Sequence, residues 1–376
     1  MEHSDIPRQP QQPAHQPRRT LAEFRTAYAE PSPLFDGDGP ATAAHPTLAV
    51  RSWHDGDDRA LLEVFGDPTD PAHHQDRTLL RPSSDAPLAR TLVLEEDGVP
   101  VGAATLSVSV LHPSRLWFFA EIIPELRRQG LATALLEKLR AEVPGAAVKI
   151  RYTVGTDAAG YAEHAGYTPV QTVRQVLLSP QALPTPELDE HSDLQLDDLA
   201  TGSVELTRVV HAFYTAMHDW DPTTMTLGQA QQLLLAPGTG ASGAVVLRDR
   251  KRADANGKGN IVAFAISYAV HSANDPNSAT ADGSDANGTD VARDFADISD
   301  VLIGHNPDLT PELTPAQIQH ALGALLGMLV HRYPVRMEID ESMTDLTAVL
   351  APVLHNRDAA IFHTAQVATK YDDAGS

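Results

Sequence analysis

The chain has 376 residues and no cysteine, and its formal net charge is −22 at pH 7. This length predicts two domains, and the lack of cysteine excludes disulfides, a thiolate nucleophile and a cysteine-based zinc site. The negative charge argues against nucleic acid as a general partner, since a polyanion would be repelled, and it favours a cationic partner such as an amine.

Residues 1–45 are rich in Pro, Gln and Ala and have no sustained apolar period, which predicts a disordered N-terminal arm. Thr20 and Glu23 have capping-box spacing, so a short helix is predicted at 20–28. No apolar run in the sequence is long enough to span a membrane. We therefore expect a cytoplasmic protein without membrane contact, and its high content of Ala, Asp, Arg and Pro resembles that of proteins from high-GC bacteria.

Residues 46–180 are predicted to form a first folded domain. Asp97-Gly98, between two apolar runs, is a favoured two-residue turn and predicts a hairpin. The stretch at 66–87 holds several Asp and Pro residues and is predicted to be a loop with room for a helical turn, with His73-His74 as solvated residues rather than metal ligands. The predicted strands are 48–53, 91–96, 99–111, 117–123, 147–152 and 170–178, and the predicted helices end near Phe65, Val143 and Gly166.

The most informative stretch joins the fourth of these strands to the next helix. Residues 117–123 are apolar except for Glu121, which is the pattern of a strand buried on both faces. The motif Arg127-x-x-Gly130-x-Ala132 then places two residues with almost no side chain in the first helical turn. Backbone N–H groups there lack intrahelical partners and stay open to a ligand. A pyrophosphate fits this position, with Arg127 and Arg128 as charged neighbours.

This motif resembles the acyl-CoA signature of the GCN5-related N-acetyltransferase (GNAT) superfamily, (Gln/Arg)-x-x-Gly-x-(Gly/Ala), which follows a strand and a proline. The order of predicted elements across 46–180 is also the GNAT order. The resemblance implies that acetyl-CoA or another acyl-CoA is the co-substrate, held by backbone groups of the strand and the loop. The residues implied to bind it are Ala120, Ile122, Arg127, Arg128, Gln129, Gly130, Leu131, Ala132 and Thr133.

The second half of the chain repeats this order of elements. A linker at 181–193 precedes residues 194–370, which include an insert at 272–290 that is predicted to be disordered. The loop at 303–315 carries two acids and three prolines instead of the signature, which would repel phosphate and remove N–H donors. The sequence thus predicts a mixed α/β fold of two tandem GNAT-like domains, each a twisted, mostly antiparallel sheet flanked by helices. The second is predicted to be a degenerate copy that does not bind the donor.

In the GNAT family an amine attacks the thioester carbonyl directly, which requires a base for the ammonium and an acid for the leaving thiolate. The usual family acid is a Tyr four residues before the Gly of the late helix, and counting back from Gly166 gives Ala162. The neighbouring Tyr161 is the candidate acid, with a packing aromatic as the alternative. Glu121 is the candidate base with a raised pKa, and a strand-end carboxylate in an ion pair is the alternative of equal weight.

Four polar residues lie close together in sequence at Tyr214, His218, Asp219 and Asp221, and the first three are the candidate contacts for the acceptor. Tyr214 and His218 are four residues apart and share a face of a predicted helix, a placement that suits the wall of a pocket for a cationic amine. The alternative is an amphipathic helix end with capping acids. His112, at the end of a predicted strand, is expected at the surface.

The expected function is that of an acyl-CoA-dependent N-acyltransferase that works from its first domain and uses no metal. Its acceptor is expected to be an amine of a small molecule or a peptide. Two alternatives stay open, an acyltransferase whose donor is an acyl carrier protein and a non-catalytic acyl-CoA-binding sensor or structural protein. The sequence does not distinguish a monomer from a homodimer.

Overall fold

The computed structural model describes most of the two predicted domains. The described residues are 32–33, 48–68, 71–189, 191–253, 257–269 and 298–370. The predicted N-terminal helix at 20–28 and the predicted insert at 272–290 lie outside them. Among the described residues, no helix is both long and apolar enough to cross a membrane.

The chain forms two compact units, Met1–Ser107 with Trp117–Ala146, and Val108–Leu116 with Ala147–Ser376. This grouping differs from the predicted division, which keeps residues 46–180 together and which stays a prediction. The difference arises because the last two strands before residue 180 hydrogen-bond to strands from the C-terminal half.

The first unit is built on one sheet with helices around it. Its strands are β1 (Ser32–Pro33), β2 (Leu48–Ser52), β3 (Ser84–Asp85), β4 (Leu88–Glu96), β5 (Val99–Val108) and β6 (Leu116–Ile122). Its helices are α1 (Asp57–Phe65), α2 (Pro71–Arg77) and α3 (Leu131–Glu142). The strand order is β1-β2-β4-β5-β6, and β3 pairs with β4. The helical turn allowed within the predicted loop at 66–87 corresponds to α2, which begins at Pro71 as the fixed φ of proline favours.

A tight turn between β4 and β5 and a close backbone approach of β5 to β6 position these three strands. Asp97 and Gly98, with φ of 50° and 81°, form the turn of the predicted hairpin, in which Glu96 pairs with Val99. A Cβ atom added to Gly102 of β5 would lie only 3.0 Å from the carbonyl oxygen of Glu121. Glycine at position 102 therefore lets β5 approach the segment of β6 that carries the candidate site.

The second unit is a larger, mostly antiparallel sheet with the strand order β7-β14-β8-β13-β12-β11-β10-β9. Its strands are β7 (Val148–Thr153), β8 (Thr168–Leu178), β9 (Leu194–Leu199), β10 (Ala241–Ala253), β11 (Gly259–Tyr268), β12 (Ser299–His305), β13 (Val335–Asp340) and β14 (Ala359–Lys370). Its helices are α4 (Asp157–His164), α5 (Val204–Met217), α6 (Leu227–Ala230), α7 (Pro315–Leu329) and α8 (Thr344–His355). The predicted mixed α/β fold with a mostly antiparallel sheet is confirmed.

The two halves of the chain exchange their last strands within this unit. Strand β14 lies between β7 and β8, where Ala365 pairs with both Thr153 and Val173. Strand β8 in turn lies between β14 and β13, and Leu178 pairs with both Ala359 and Val335. The end of the chain is therefore part of the sheet that contains β7.

One apolar core of the second unit lies between this sheet and the helices α7 and α8. Leu322 and Leu325 of α7 and Leu350 of α8 are at most 1% exposed, and they join one apolar cluster with Val176 and Leu178 of β8. Apolar residues at helical spacing on α7 and α8 produce this buried face.

Candidate active site

The predicted donor loop follows β6 in the first unit. A 3-10 turn at Pro124–Leu126 precedes it, and α3 begins at Leu131 with Gly130 as its N-cap. Gly130 has a φ of 79°, which favours glycine, and a Cβ atom added there would meet nothing within 4 Å. The backbone at Gly130 therefore faces open space that a side chain would fill.

The first backbone hydrogen bond of α3 runs from the N–H of Ala134 to the carbonyl of Gly130, at 3.0 Å. The preceding N–H groups, of Leu131, Ala132 and Thr133, are those that an α-helix leaves without an intrahelical partner. Gly130 has no side chain that could cap them, and the helix dipole adds partial positive charge at this end. Such an arrangement fits a phosphate or pyrophosphate group.

The side chains of the loop have two kinds of surroundings. The guanidinium of Arg127 donates from Nε to the carbonyl oxygen of Ile122 at 2.8 Å, which ties the loop to the end of β6. The side chain of Gln129 donates to the carbonyl of Glu125 at 3.3 Å. Arg128 is exposed and has a φ of 63°, so it supplies positive charge at the open helix end. Ala120 and Ile122, the predicted strand contacts, lie on β6 just before this loop.

The corresponding loop of the second half has the same start and a different end. A 3-10 turn at Pro307–Leu309 follows β12 as Pro124–Leu126 follows β6. The helix α7, however, begins with a capping box, in which the Thr314 hydroxyl accepts from the N–H of Gln317 at 3.3 Å and the Gln317 side chain accepts from the N–H of Thr314 at 2.9 Å. Proline at position 315 has no N–H. Two of the three donors that are open in α3 thus have no counterpart in α7, because position 315 has no N–H and the N–H of Gln317 is capped.

Alignment of the two 3-10 turns allows the charges of the two loops to be compared position by position. Asp308 lies opposite Glu125, so both loops carry an acid there. The positions of Arg127 and Arg128 are taken by Thr310 and Pro311, and Glu312 follows them. The second loop therefore lacks the two arginines and keeps its acids.

Glu121, the candidate base, is held in an ion pair. Its Oε1 accepts from Arg77 Nη2 at 2.6 Å and lies 3.1 Å from His73 Nε2, and its Oε2 accepts from Arg77 Nε at 2.8 Å. Burial raises the pKa of Glu121, but the hydrogen bonds from His73 and Arg77 outweigh it, so the pKa lies below its ordinary value. The expectation of a raised pKa was wrong, and the alternative of a paired strand-end carboxylate describes this residue.

The partners of Glu121 come from α2, where the sequence predicted only a loop with a helical turn and no contact with β6. Arg77 also donates to the carbonyl of Gly66, at the end of α1, and so joins both helices to β6. The ring of His73 lies 6.2 Å from that of Phe119, at an interplanar angle of 71°. His73 is thus in contact with β6 and is not the solvated loop residue that was expected. The i, i+4 spacing of His73 and Arg77, after a proline suited to a first helical turn, was the available signal.

Tyr161, the candidate acid, lies on α4 in the second unit. Its ring is 6.3 Å from the ring of Tyr167. Ala162, at the position of the usual family tyrosine, is completely buried. Tyr161 is therefore the nearest phenol in sequence to that position, and its role as an acid stays a prediction.

Tyr214 and His218 form a cluster with His112, also within the second unit. Tyr214 stacks on His218 at 4.2 Å between ring centroids, and its hydroxyl lies 2.8 Å from His112 Nε2. The Nδ1 of His112 lies 2.6 Å from the carbonyl oxygen of Asp221, so Nδ1 carries the proton and Nε2 accepts from Tyr214. Burial lowers the pKa of His112 and raises the pKa of Tyr214 to about 12.

This cluster differs from the predicted acceptor site in two respects. His112 was expected at the surface, but it is only 8% exposed. Asp219, the predicted acid, is exposed, whereas Asp221 is completely buried. The carboxylate of Asp221 pairs with Lys149 at 2.5 Å and with Arg115 at 3.1 Å. Asp221 belonged to the predicted cluster, but spacing alone did not favour it over Asp219, because its partners come from segments more than 70 residues away.

The first half of the chain matches a known family. The model of the acetyltransferase (GNAT) family covers residues 49–167, a range that includes β6, the donor loop and α4. This segment belongs to the GNAT family. None of the curated protein sequences matches the chain.

Solved GNAT structures resemble the chain over a longer stretch. The GCN5-related N-acetyltransferase from Sphaerobacter thermophilus has 14% sequence identity and a TM-score of 0.51, and the match covers 86% of this chain and 95% of that chain. A GCN5-related glucosamine N-acetyltransferase region in a fungal multi-domain beta-N-acetylglucosaminidase has 13% identity and a TM-score of 0.51, with 89% of this chain and 39% of that chain covered. A tandem GNAT protein from the clavulanic acid biosynthesis pathway has 12% identity and a TM-score of 0.47, with 87% and 98% covered. The similarity to the Sphaerobacter structure confirms the predicted fold class, and the division into two tandem GNAT-like domains stays a prediction.

A metal ion would need a cluster of ligating side chains. Within the described part of the chain, no group of three or more His, Asp or Glu side chains is placed so as to hold one. The open end of α3 instead suits an anionic group, because its donors are backbone N–H groups.

Proposed function

We propose that the protein is an acyl-CoA-dependent N-acyltransferase whose donor binds to the first GNAT domain. The observation that carries this proposal is the start of α3 at Gly130, which has no side-chain cap and where an added Cβ atom would meet nothing within 4 Å. The membership of residues 49–167 in the GNAT family supports the same assignment.

The donor contacts follow from this assignment. The N–H groups of Leu131, Ala132 and Thr133 bind the pyrophosphate, and the exposed Arg128 adds a charge beside it. Arg127 keeps the loop in place through its hydrogen bond to Ile122. Backbone groups of β6 from Ala120 to Ile122 bind the pantetheine arm and the thioester carbonyl. Most of these contacts use the backbone, so they depend on loop geometry more than on side chains.

The acceptor is an amine of a small molecule or a peptide. A net charge of −22 supports a cationic acceptor, because a negative protein attracts it over several ångströms. Tyr214 and His218, which stack on each other, are proposed to contact the acceptor, together with the exposed carboxylate of Asp219. Tyr161 is proposed as the acid that protonates the leaving thiolate.

The second domain is proposed to bind no acyl-CoA. The capping box of Thr314 and Gln317 supports this, because it occupies a backbone donor that α3 leaves open. Proline at 315 and the lack of arginines between Leu309 and Thr314 support it as well.

Two measurements test the proposed function. Thermal unfolding with acetyl-CoA, CoA and longer acyl-CoAs measures donor binding, since a ligand that binds only the folded state raises Tm. Thiol release from the best acyl-CoA is then followed with a panel of amines and peptides. We expect a higher Tm and amine-dependent thiol release. A higher Tm without release by any amine would indicate an acyl-CoA sensor, and release only from an acyl carrier protein would indicate the other donor class.

A further inference from the structure

His73 is the most accessible member of a hydrogen-bonded group on β6. Its side chain is 43% exposed, whereas that of Glu121 is 7% exposed and that of Arg77 is 15% exposed. Its Nε2 lies 3.1 Å from Glu121 Oε1, and its ring packs edge-on against Phe119 of the same strand. One ring nitrogen of His73 thus faces the buried carboxylate, and the other is left for a ligand or solvent.

The carboxylate of Glu121 is fixed and ionised. Arg77 binds both of its oxygens, at 2.6 Å and 2.8 Å, and is itself anchored to the carbonyl of Gly66. An ionised carboxylate can only accept hydrogen bonds, so Nε2 of His73 must carry the hydrogen in this contact. In the neutral imidazole the lone pair is then on Nδ1, which is the form that a general base needs.

We propose that His73 takes the proton from the acceptor ammonium in the first domain, with Glu121 and Arg77 as positioning residues. This inference rests on the proposed acyltransferase function and gives its missing base. Glu121 fixes the tautomer and the orientation of the imidazole and remains ionised throughout. The side chain of His73 lies over Phe119, on the strand whose backbone at Ala120 to Ile122 is proposed to bind the donor thioester.

The proposed step moves the acyl group from the sulfur of the donor to the nitrogen of the acceptor. Nδ1 of His73 accepts one proton from the ammonium and leaves a neutral amine, which attacks the thioester carbonyl carbon. A C–N bond forms and the C–S bond breaks, and the nitrogen loses its second proton while the leaving thiolate gains one, through Tyr161 or solvent. The imidazolium then releases its proton to solvent, so one proton is released for each amide that is formed.

The charges around His73 suit this role. The hydrogen bond to Glu121 raises the pKa of His73 above its ordinary value, and partial burial opposes this. Among the nearby charges, those of Glu121 and Asp76 raise this pKa and that of Arg77 lowers it. A raised pKa makes the neutral imidazole of His73 a stronger base. Activity should fall at acid pH, as His73 becomes protonated and can no longer accept a proton.

The test compares His73→Gln with the matched control His74→Gln, which changes the exposed neighbour on the same helix. We expect His73→Gln to lower kcat/KM at neutral pH by about 10²-fold to 10³-fold, with the affinity for CoA unchanged by calorimetry. The loss should shrink at high pH, where the free amine forms without a base. His74→Gln should keep the wild-type rate and pH profile.

A second variant tests the positioning role. Glu121→Gln removes the charge that holds the His73 tautomer, so the acid limb of the kcat/KM profile should move to lower pH. Nitrogen NMR of the imidazole gives a readout that needs no substrate: the wild type should carry the hydrogen on Nε2 of His73, and the pKa of His73 should fall in Glu121→Gln.

The outcomes separate this inference from the function on which it rests. If the wild type transfers acyl groups and His73→Gln has the same rate and pH profile as His74→Gln, His73 is not the base and the proposed function stands. If the wild type releases no thiol with any amine, the proposed function fails and this inference fails with it. A selective loss in His73→Gln that recovers at high pH supports both.

Discussion

The ammonium of Lys149 lies 2.5 Å from the carboxylate of Asp221, and the two side chains are 1% and 0% exposed. The pair joins β7 to the residues that follow α5, and Ser114 and Arg115 donate to the same carboxylate. Burial raises the pKa of Asp221, but the hydrogen bonds from Lys149 and Ser114 outweigh it, so the pKa lies below its ordinary value. Burial lowers the pKa of Lys149 more than Asp221 raises it. Burial of the pair therefore carries a desolvation penalty. Loss of one partner destabilises the fold, because it leaves the other charge buried and uncompensated.

Replacement of Asp221 by Asn should lower the free energy of unfolding by about 3–5 kcal/mol, because it leaves the buried Lys149 charge without its partner. Urea unfolding measures this change. The matched control is Asp219→Asn, which changes an exposed acid two residues away and should stay within about 0.5 kcal/mol of the wild type. Equal midpoints for the two variants would show that the pair contributes nothing to stability.

The pH dependence of stability should report the same carboxylate. A group whose pKa is lower in the folded state contributes stability that is present above its unfolded pKa, which is about 3.9 for Asp, and that is lost as pH falls through the folded value. The wild type should therefore lose more stability than Asp221→Asn between neutral pH and the acid range. Parallel curves of unfolding free energy against pH for the two proteins would contradict this assignment.

The strand exchange makes the end of the chain necessary for the sheet. A chain that ends at Asp358 lacks β14 and leaves β7 and β8 with unpaired edges, so it should aggregate or unfold at a lower temperature. A chain that ends at Lys370 keeps β14 and serves as the control. Size-exclusion chromatography and thermal unfolding compare them. The same elution volume and Tm for both chains would mean that the pairing of β14 is dispensable.

Replacement of Tyr161 by Phe tests the proposed acid. If its phenol protonates the thiolate, kcat should fall on the order of 10²-fold while donor affinity is unchanged. Tyr167→Phe, which removes the neighbouring buried phenol, is the control and should keep its kcat. Wild-type turnover in Tyr161→Phe would assign the proton to water or to another group.

The local features of the donor site were predictable from sequence, because they depend on neighbouring residues. The strand before Pro124 and the open helix start at Gly130 follow from an apolar run and from small residues at fixed spacing. The capping box at Thr314 and Gln317 was also readable, as a Thr with a Gln three residues later.

The features that were missed depend on contacts across the chain. The pKa of Glu121 is set by His73 and Arg77, which are 48 and 44 residues away, and a strand pattern cannot predict their approach. The exchange of β8 and β14 depends on pairing between segments nearly 200 residues apart, whereas hydrophobic period predicts only that each strand exists. Sequence thus predicted the elements and the donor loop, and the structure supplied their partners.

Calorimetric titration with acetyl-CoA of the wild type, Gly130→Glu and Gly130→Asn is the most direct test of the central claim. Asn tolerates the positive φ of Gly130 and adds no charge, whereas Glu places a negative side chain in the open space beside the helix N-terminus. We predict one bound acetyl-CoA per wild-type chain, weaker binding in Gly130→Asn and none in a folded Gly130→Glu. Two equivalents in the wild type, or unchanged affinity in Gly130→Glu, would contradict the assignment of the donor to this loop.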